Sequence, residues 1–224
     1  MLAAFFLVFA LAFGYFYTPR KNSEVVTPIP NIFGASSEVA KSPENLWFPQ
    51  QPYSGKGESE LGVGALSALL VNFDDGKVVY SKAAKEKLPA ASTIKIMTAL
   101  VALENARLSD SFQVSEKASK IGEKSMGLTF GERLSLKELL YGLILVSGND
   151  AAVTIAEGVA GSEDAFVQLM NNKALYLGLS DTKFINASGL DEDGKAQFTT
   201  AYDMATIAHY LWEHYPEFRT ISAT

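Results

Sequence analysis

The residue pattern predicts an α+β chain whose sheet is short of strands. Two β-rich runs flank Asp75-Gly76, and five helical stretches follow with one short extended piece among them. Strands followed by a run of helices suit segregated α+β architecture rather than alternating α/β. A lone hairpin makes a poor sheet, so later strands are expected to complete it. The 224 residues, 48% hydrophobic and 20% charged, suffice for one good-sized domain with an ordinary core.

The elements follow in order. "ALSALLVNF", "DDG" and "KVVYSK" (65–82) read as a hairpin, because Asp-Gly between β-rich runs is the strongest short hairpin signal. Pro89 ends an irregular segment, and a helix is expected from Ser92 to Asn105. Its apolar residues cover nearly the whole circumference, which predicts a central, buried helix. Ser135 and Glu138 form a capping box ahead of "LKELLYGLILV". Asp150 to about Val159 reads as the next helix, with Gly148 suiting the end of the preceding one and Asn149 or Asp150 the N-cap. Ser162, with Glu163 and Asp164 in the first turn, starts a helix that Gly178 closes. "TKFIN" (182–186) is a short extended piece, and Thr200 with Asp203 caps "AYDMATIAHYLWEHY".

Three regions are expected. Met1–Tyr17, "MLAAFFLVFALAFGYFY", is uncharged and reads as a membrane anchor, or as a cleaved signal at Ala10-Leu11-Ala12. Arg20 and Lys21 after it favour keeping the following chain in the cytoplasm, against the location the chemistry requires. Residues 18–60, with Pro19, Pro28, Pro30, Pro43, Pro49 and Pro52, read as an extended linker. Residues 61–224 form the domain. A net charge of −6 without a basic run argues against a nucleic-acid partner, and the absence of cysteine excludes disulfides and thiolate metal sites.

"PAASTIKIMTALVALENA" (89–106) carries only Lys95 and Glu104 as charges. Ser92 and Lys95, three apart on a helix, share a face. A serine hydroxyl needs a base to become a nucleophile, and burial lowers a lysine's pKa until its amine can serve. The start of the helix also favours developing negative charge. On the residues alone, Ser92 serves equally as an N-cap and Lys95 as a surface lysine with a packed stem. A second S-x-x-K, Ser180 to Lys183, lies in a polar turn and is read as coincidence. "LVSGNDAA" adds Ser147, able to relay a proton, and Asn149, able to grip a peptide carbonyl; a tight interhelical turn explains both residues as well. His209 and His214 share no helix face and have no third ligand. No metal or organic cofactor is expected.

S-x-x-K followed by S-x-N is part of the signature of penicillin-binding proteins and serine β-lactamases. "SGNDAAVTIAEGVAGSEDAFVQLMNNKALYLGLSDTKFINASGLD" and "TTAYDMATIAHYL" resemble the low-molecular-weight penicillin-binding proteins, the D-alanyl-D-alanine carboxypeptidases. The resemblance runs from about Ala65 to the C-terminus. It implies a β-lactamase/DD-peptidase-like fold, a sheet flanked by helices with an all-helical subdomain. It also implies a peptidoglycan pentapeptide substrate ending in D-Ala-D-Ala, β-lactams as covalent inhibitors, and the extracytoplasmic face of the cytoplasmic membrane. By position, Ser92 corresponds to the acyl-forming nucleophile, Lys95 to its base, Ser147 to the proton shuttle and Asn149 to a substrate-binding amide. The family's Lys-Thr-Gly or Lys-Ser-Gly motif does not occur in the 224 residues. It is expected beyond Thr224, so the domain is read as C-terminally incomplete and this chain as weak or inactive. DD-endopeptidase action, β-lactamase action and non-catalytic peptidoglycan binding are the alternatives.

Overall fold

A computed structural model describes residues 46–50, 62–192 and 194–224. The first hairpin pairs β1 (Ala68–Val71) with β2 (Val78–Lys82), with Leu70 opposite Tyr80. The turn is looser than the two-residue form that Asp75-Gly76 suggests. Asn72 accepts from Gly76 N–H at 2.9 Å, and its own N–H donates to Lys77 O at 2.9 Å. The Asn72 side chain also accepts from Asp74 N–H at 2.8 Å, so a local Asx turn competes with tight closure. Gly76 takes φ +71°, and a Cβ there would lie 2.9 Å from Phe48 O.

After a 3₁₀ turn at Ala91–Ile94 comes α1 (Lys95–Asn105). It packs against four further helices, as its apolar circumference requires: α3 (Leu136–Leu145), α4 (Asn149–Ala160), α5 (Glu163–Tyr176) and α6 (Ala201–His214). Met97, Leu100, Leu139, Leu140, Ile155, Phe166 and Met170 fill the space between them and are fully buried. Each such side chain contributes roughly 1.5–3 kcal/mol through burial, so α1 is held mainly by its neighbours.

The cap signals act as the residue pattern predicts. The reciprocal Ser135–Glu138 box starts α3, Ser162 accepts from Ala165 N–H at α5, and Thr200 accepts from Asp203 N–H at α6. Gly178, at φ +72°, closes α5. The α3–α4 junction differs from expectation. Ser147, not Gly148, takes the left-handed conformation (φ +58°), and Gly148 is the N-cap at φ −61°. Gly148 is required there by space: a Cβ would lie 2.8 Å from Asp150 Oδ1 and 3.3 Å from Met126 N.

Four short elements went unpredicted: α2 (Glu116–Lys120), α7 (Pro216–Ser222), and the antiparallel pair β3 (Ser111–Gln113) and β4 (Arg133–Ser135). They are too brief to show a period. "TKFIN" is extended and bridges Phe198 through Lys183. The linker expected over 18–60 is described only at 46–50. These residues pack on the domain, with Trp47 stacked on His209 at 4.0 Å and Pro49 O accepting from the Tyr202 hydroxyl. The expected anchor, 1–17, lies outside the described residues. Among the described residues no helix is long and apolar enough to cross a membrane.

Candidate active site

The 3₁₀ turn and the first turn of α1 set Ser92 above Lys95. Ser92 is exposed, whereas Lys95 is 3% exposed among the core side chains of α1. Ala91, at φ +45°, makes the turn that presents Ser92, a conformation that costs a non-glycine residue on the order of 1 kcal/mol. Gly189 lies hard against this turn. At φ +89°, a Cβ on it would lie 2.1 Å from Ala91 O and 2.9 Å from Ser92 N. Glycine is therefore needed for both its conformation and its lack of bulk.

Three oxygens surround the Lys95 amine. Nζ lies 2.9 Å from Ser92 Oγ, 2.8 Å from Asn149 Oδ1 and 2.7 Å from Ser188 O. Two of these are carbonyl oxygens, which only accept. A neutral amine has two N–H donors and one lone pair. The carbonyls of Asn149 and Ser188 take the two donors, which leaves the lone pair for the Ser92 hydroxyl. Burial lowers the Lys95 ammonium to about 8 from the usual 10.5, against a raising effect of the Glu123 carboxylate. The site thus combines an exposed alcohol with a half-neutral buried base at mildly alkaline pH.

The orientation of the Asn149 amide follows from its other contacts. Nδ2 donates to Gly122 O at 3.0 Å, and the Asn149 backbone N–H donates to Lys124 O at 2.8 Å. Oδ1 is thereby left facing Lys95. Asp150, next along α4, is 1% exposed and accepts from the 125–128 segment. Burial pushes its carboxyl up, but the bonds from Leu128, Ser125, Met126 and Ala151 outweigh that and hold it below the usual range.

The geometry brings Ser92, Lys95 and Asn149 into one hydrogen-bonded cluster. Ser147 sits two residues before Asn149, half-buried, and its side chain makes no hydrogen bond among the described residues. The other S-x-x-K has no such surroundings, since Ser180 and Lys183 are both exposed. His209 stacks on Trp47 and shares a hydrogen bond with Phe73 O, while His214 stacks on Tyr210. Among the described residues no group of three or more His, Cys, Asp or Glu side chains is arranged to hold a metal ion. Residue patterns missed the contributions of Gly122 O and Ser188 O, because a main-chain carbonyl leaves no mark in the sequence. Gly189 stood within "NASGLD", but only its contact with Ala91 shows what it does.

The family model for D-alanyl-D-alanine carboxypeptidases matches residues 54–224. The chain is 44% identical over 165 residues to the D-alanyl-D-alanine carboxypeptidase DacF of Bacillus subtilis, covering 71% of this chain and 42% of the relative. It is 38% identical to DacC of Escherichia coli, covering 69% of this chain and 41% of the relative. The chain therefore spans about two fifths of the length of these curated relatives. Among solved structures, it resembles the D-alanyl-D-alanine carboxypeptidase DacD of Francisella tularensis at TM-score 0.69 and 29% identity, covering 84% of this chain and 44% of that one. It also resembles penicillin binding protein 5 of Haemophilus influenzae at TM-score 0.67 and 28% identity, covering 74% of this chain and 50% of that one. These likenesses give the α+β fold as that of DD-peptidases and penicillin-binding proteins, β-lactamase-like in type. With the match extending over three quarters of its residues, the chain belongs to the D-alanyl-D-alanine carboxypeptidase family.

Proposed function

We propose that the protein is a serine-type D-Ala-D-Ala carboxypeptidase that trims peptidoglycan stem peptides in the cell envelope through an acyl-enzyme on Ser92. The observation that carries this reading is the buried Lys95 amine, 2.9 Å from Ser92 Oγ and flanked by two carbonyl acceptors, so that once neutral it turns its lone pair to the Ser92 hydroxyl. Ser92 Oγ attacks the carbonyl carbon of the penultimate D-alanine as its proton passes to Lys95 Nζ. The C–N bond breaks, the terminal D-alanine leaves with a proton relayed through the Ser147 hydroxyl, and the acyl group stays on Ser92. Water then cleaves the ester, with Lys95 again taking a proton. The Ser92 N–H lies in the first helical turn, where no intrahelical partner exists, and serves as one donor to the oxyanion.

Asn149 has a second Nδ2 hydrogen besides the one held by Gly122 O, and that hydrogen is assigned to the substrate. A β-lactam presents a strained amide to the same alcohol and is expected to acylate it. The chemistry uses neither metal nor organic cofactor. The segment 1–17 is proposed to tether the protein to the membrane, with the domain on its extracytoplasmic face.

The test is covalent labelling with a fluorescent penicillin, followed by mass spectrometry of the labelled peptide. One adduct on Ser92, abolished in Ser92→Ala, is the expected result. The reading is wrong if the label persists in Ser92→Ala, or if saturating penicillin labels neither this chain nor one that also carries the Lys-Thr-Gly or Lys-Ser-Gly strand.

A further inference from the structure

We propose that Asp150 is a positioning residue for the Ser92–Lys95–Asn149 cluster, acting through the 122–128 segment that it grips. The inference rests on the acyl-enzyme reading for its relevance to catalysis, but its geometry stands apart from that reading.

Asp150 is 1% exposed, and its carboxylate accepts five hydrogen bonds. Oδ2 accepts from Ser125 Oγ–H at 2.6 Å, Gly127 N–H at 3.0 Å and Leu128 N–H at 3.0 Å, while Oδ1 accepts from Met126 N–H at 3.0 Å and Ala151 N–H at 2.9 Å. All five donors are neutral groups, and four of them lie on 125–128. A buried carboxylate with this many donors is a fixed anchor, because releasing any one leaves a desolvated polar group. The segment so held has no secondary structure and includes positive φ at Glu123 (+64°) and Gly127 (+86°). Its shape comes from the carboxylate rather than from a ladder.

What the segment delivers is the backbone around Asn149. Gly122 O takes the Asn149 Nδ2–H, and Lys124 O takes the Asn149 N–H. The first of these decides which end of the amide faces Lys95. Were the amide to turn over, its NH₂ would meet the amine, donor against donor, and would compete with Ser92 for the lone pair. Among the described residues the charge acting on Lys95 is Glu123, on the same segment. Asp150 thus acts on both the Asn149 amide and the segment that carries Glu123, without touching Lys95.

An aspartate is required for this, since an amide of the same shape offers one accepting oxygen and turns two donors toward backbone N–H groups. The experiment is NMR titration of Lys95, with ¹³Cε as the probe, in the wild-type chain and in Asp150→Asn, Ser125→Ala and Leu211→Ala. Leu211 is a buried residue of α6 and serves as a control for general loss of stability. Loosening the segment admits water to the amine and relieves the burial that dominates its shift; this outweighs the lost acceptor and the receding Glu123 carboxylate, which both act downward, so the Lys95 midpoint in Asp150→Asn rises by about one pH unit. Ser125→Ala, which removes one of the five bonds, moves it the same way by less, and Leu211→Ala leaves it in place. An unchanged midpoint in folded Asp150→Asn overturns the proposal, as does an equal shift in Leu211→Ala. Should Asp150→Asn fail to fold, Ser125→Ala decides alone: a rise supports the proposal and no change overturns it. Penicillin labelling is run on the same samples. Its absence both here and in a chain that also carries the Lys-Thr-Gly or Lys-Ser-Gly strand would reject the acyl-enzyme reading while leaving the titration result intact.

Discussion

Lys95 Nζ and Ser92 Oγ lie 2.9 Å apart, with the alcohol exposed and the amine buried beneath it. Both groups come from adjoining turns of one segment, so their separation is set locally. The direction of the amine's lone pair is set from elsewhere. Asn149 on α4 and the carbonyl of Ser188, 93 residues along the chain, take its hydrogens.

Acylation follows the neutral fraction of Lys95. With the ammonium lowered by burial to about 8, the penicillin acylation rate rises with pH below that value and levels above it. Replacing Lys95 by alanine lowers the rate by roughly 10²–10⁴-fold, the usual worth of a positioned base. Stopped-flow labelling across pH 6–10 checks both statements. A rate independent of pH in this range contradicts the assignment of the base.

Gly189→Ala and Gly142→Ala differ sharply in outcome. At Gly189 the new methyl meets the Ala91 main chain at 2.1 Å, with φ at +89°. Neither backbone can yield without moving Ser92. The variant loses about 2 kcal/mol or more of stability and at least about tenfold in acylation rate, roughly what 1.4 kcal/mol of misplacement costs. At Gly142, inside α3, the methyl meets the Met126 thioether at 2.1 Å, a flexible side chain that can swing away. The gain in helix propensity offsets the repacking, and stability changes by less than about 1 kcal/mol. Denaturant melts and labelling rates of the two variants decide the point.

Much of this architecture was legible in the sequence, and the boundary is a physical one. Ser135–Glu138, Ser162, Thr200 and Gly178 act through bonds to residues three or four away, so local spacing reveals them. The burial of α1 was visible because its apolar residues leave no polar face. The pairing of Ser92 with Lys95 was visible for the same local reason. Ser188 O, Gly122 O and the clamp of Gly189 on Ala91 were not, because each joins segments distant in the chain through main-chain atoms. Asp150 appeared only as a candidate cap; its hold on residues 125–128 needs the fold to bring that segment across. At Asn72 a side chain displaced the expected tight turn, and at the α3–α4 junction Ser147 rather than Gly148 is the left-handed residue, while Gly148 serves by its lack of bulk beside Asp150 and Met126.

The cap at α3 gives a control away from the site. Ser135 Oγ accepts from Glu138 N–H while the Glu138 carboxylate accepts from Ser135 N–H at 2.8 Å. Ser135→Ala costs about 1 kcal/mol of stability and leaves the acylation profile unchanged. Urea denaturation measures the first and labelling the second.

The buried amine also marks the stability profile. A lysine that titrates at about 8 in the fold and at 10.5 ordinarily binds fewer protons when folded over that interval. Stability contributed by this group therefore rises with pH from 8 toward 10.5 and is lowest below 8. Relative to Lys95→Met, which lacks the titration, wild-type stability gains on the order of 2 kcal/mol across the interval. Paired urea melts at pH 7.5 and 10 read this difference; a flat difference contradicts it.

The most direct measurement is the titration of Lys95 itself in the wild-type chain, followed at ¹³Cε. Burial of the amine, set against the Glu123 carboxylate, predicts a midpoint of about 8. A midpoint near the ordinary 10.5 would show an amine still charged at working pH, and with it no base for Ser92.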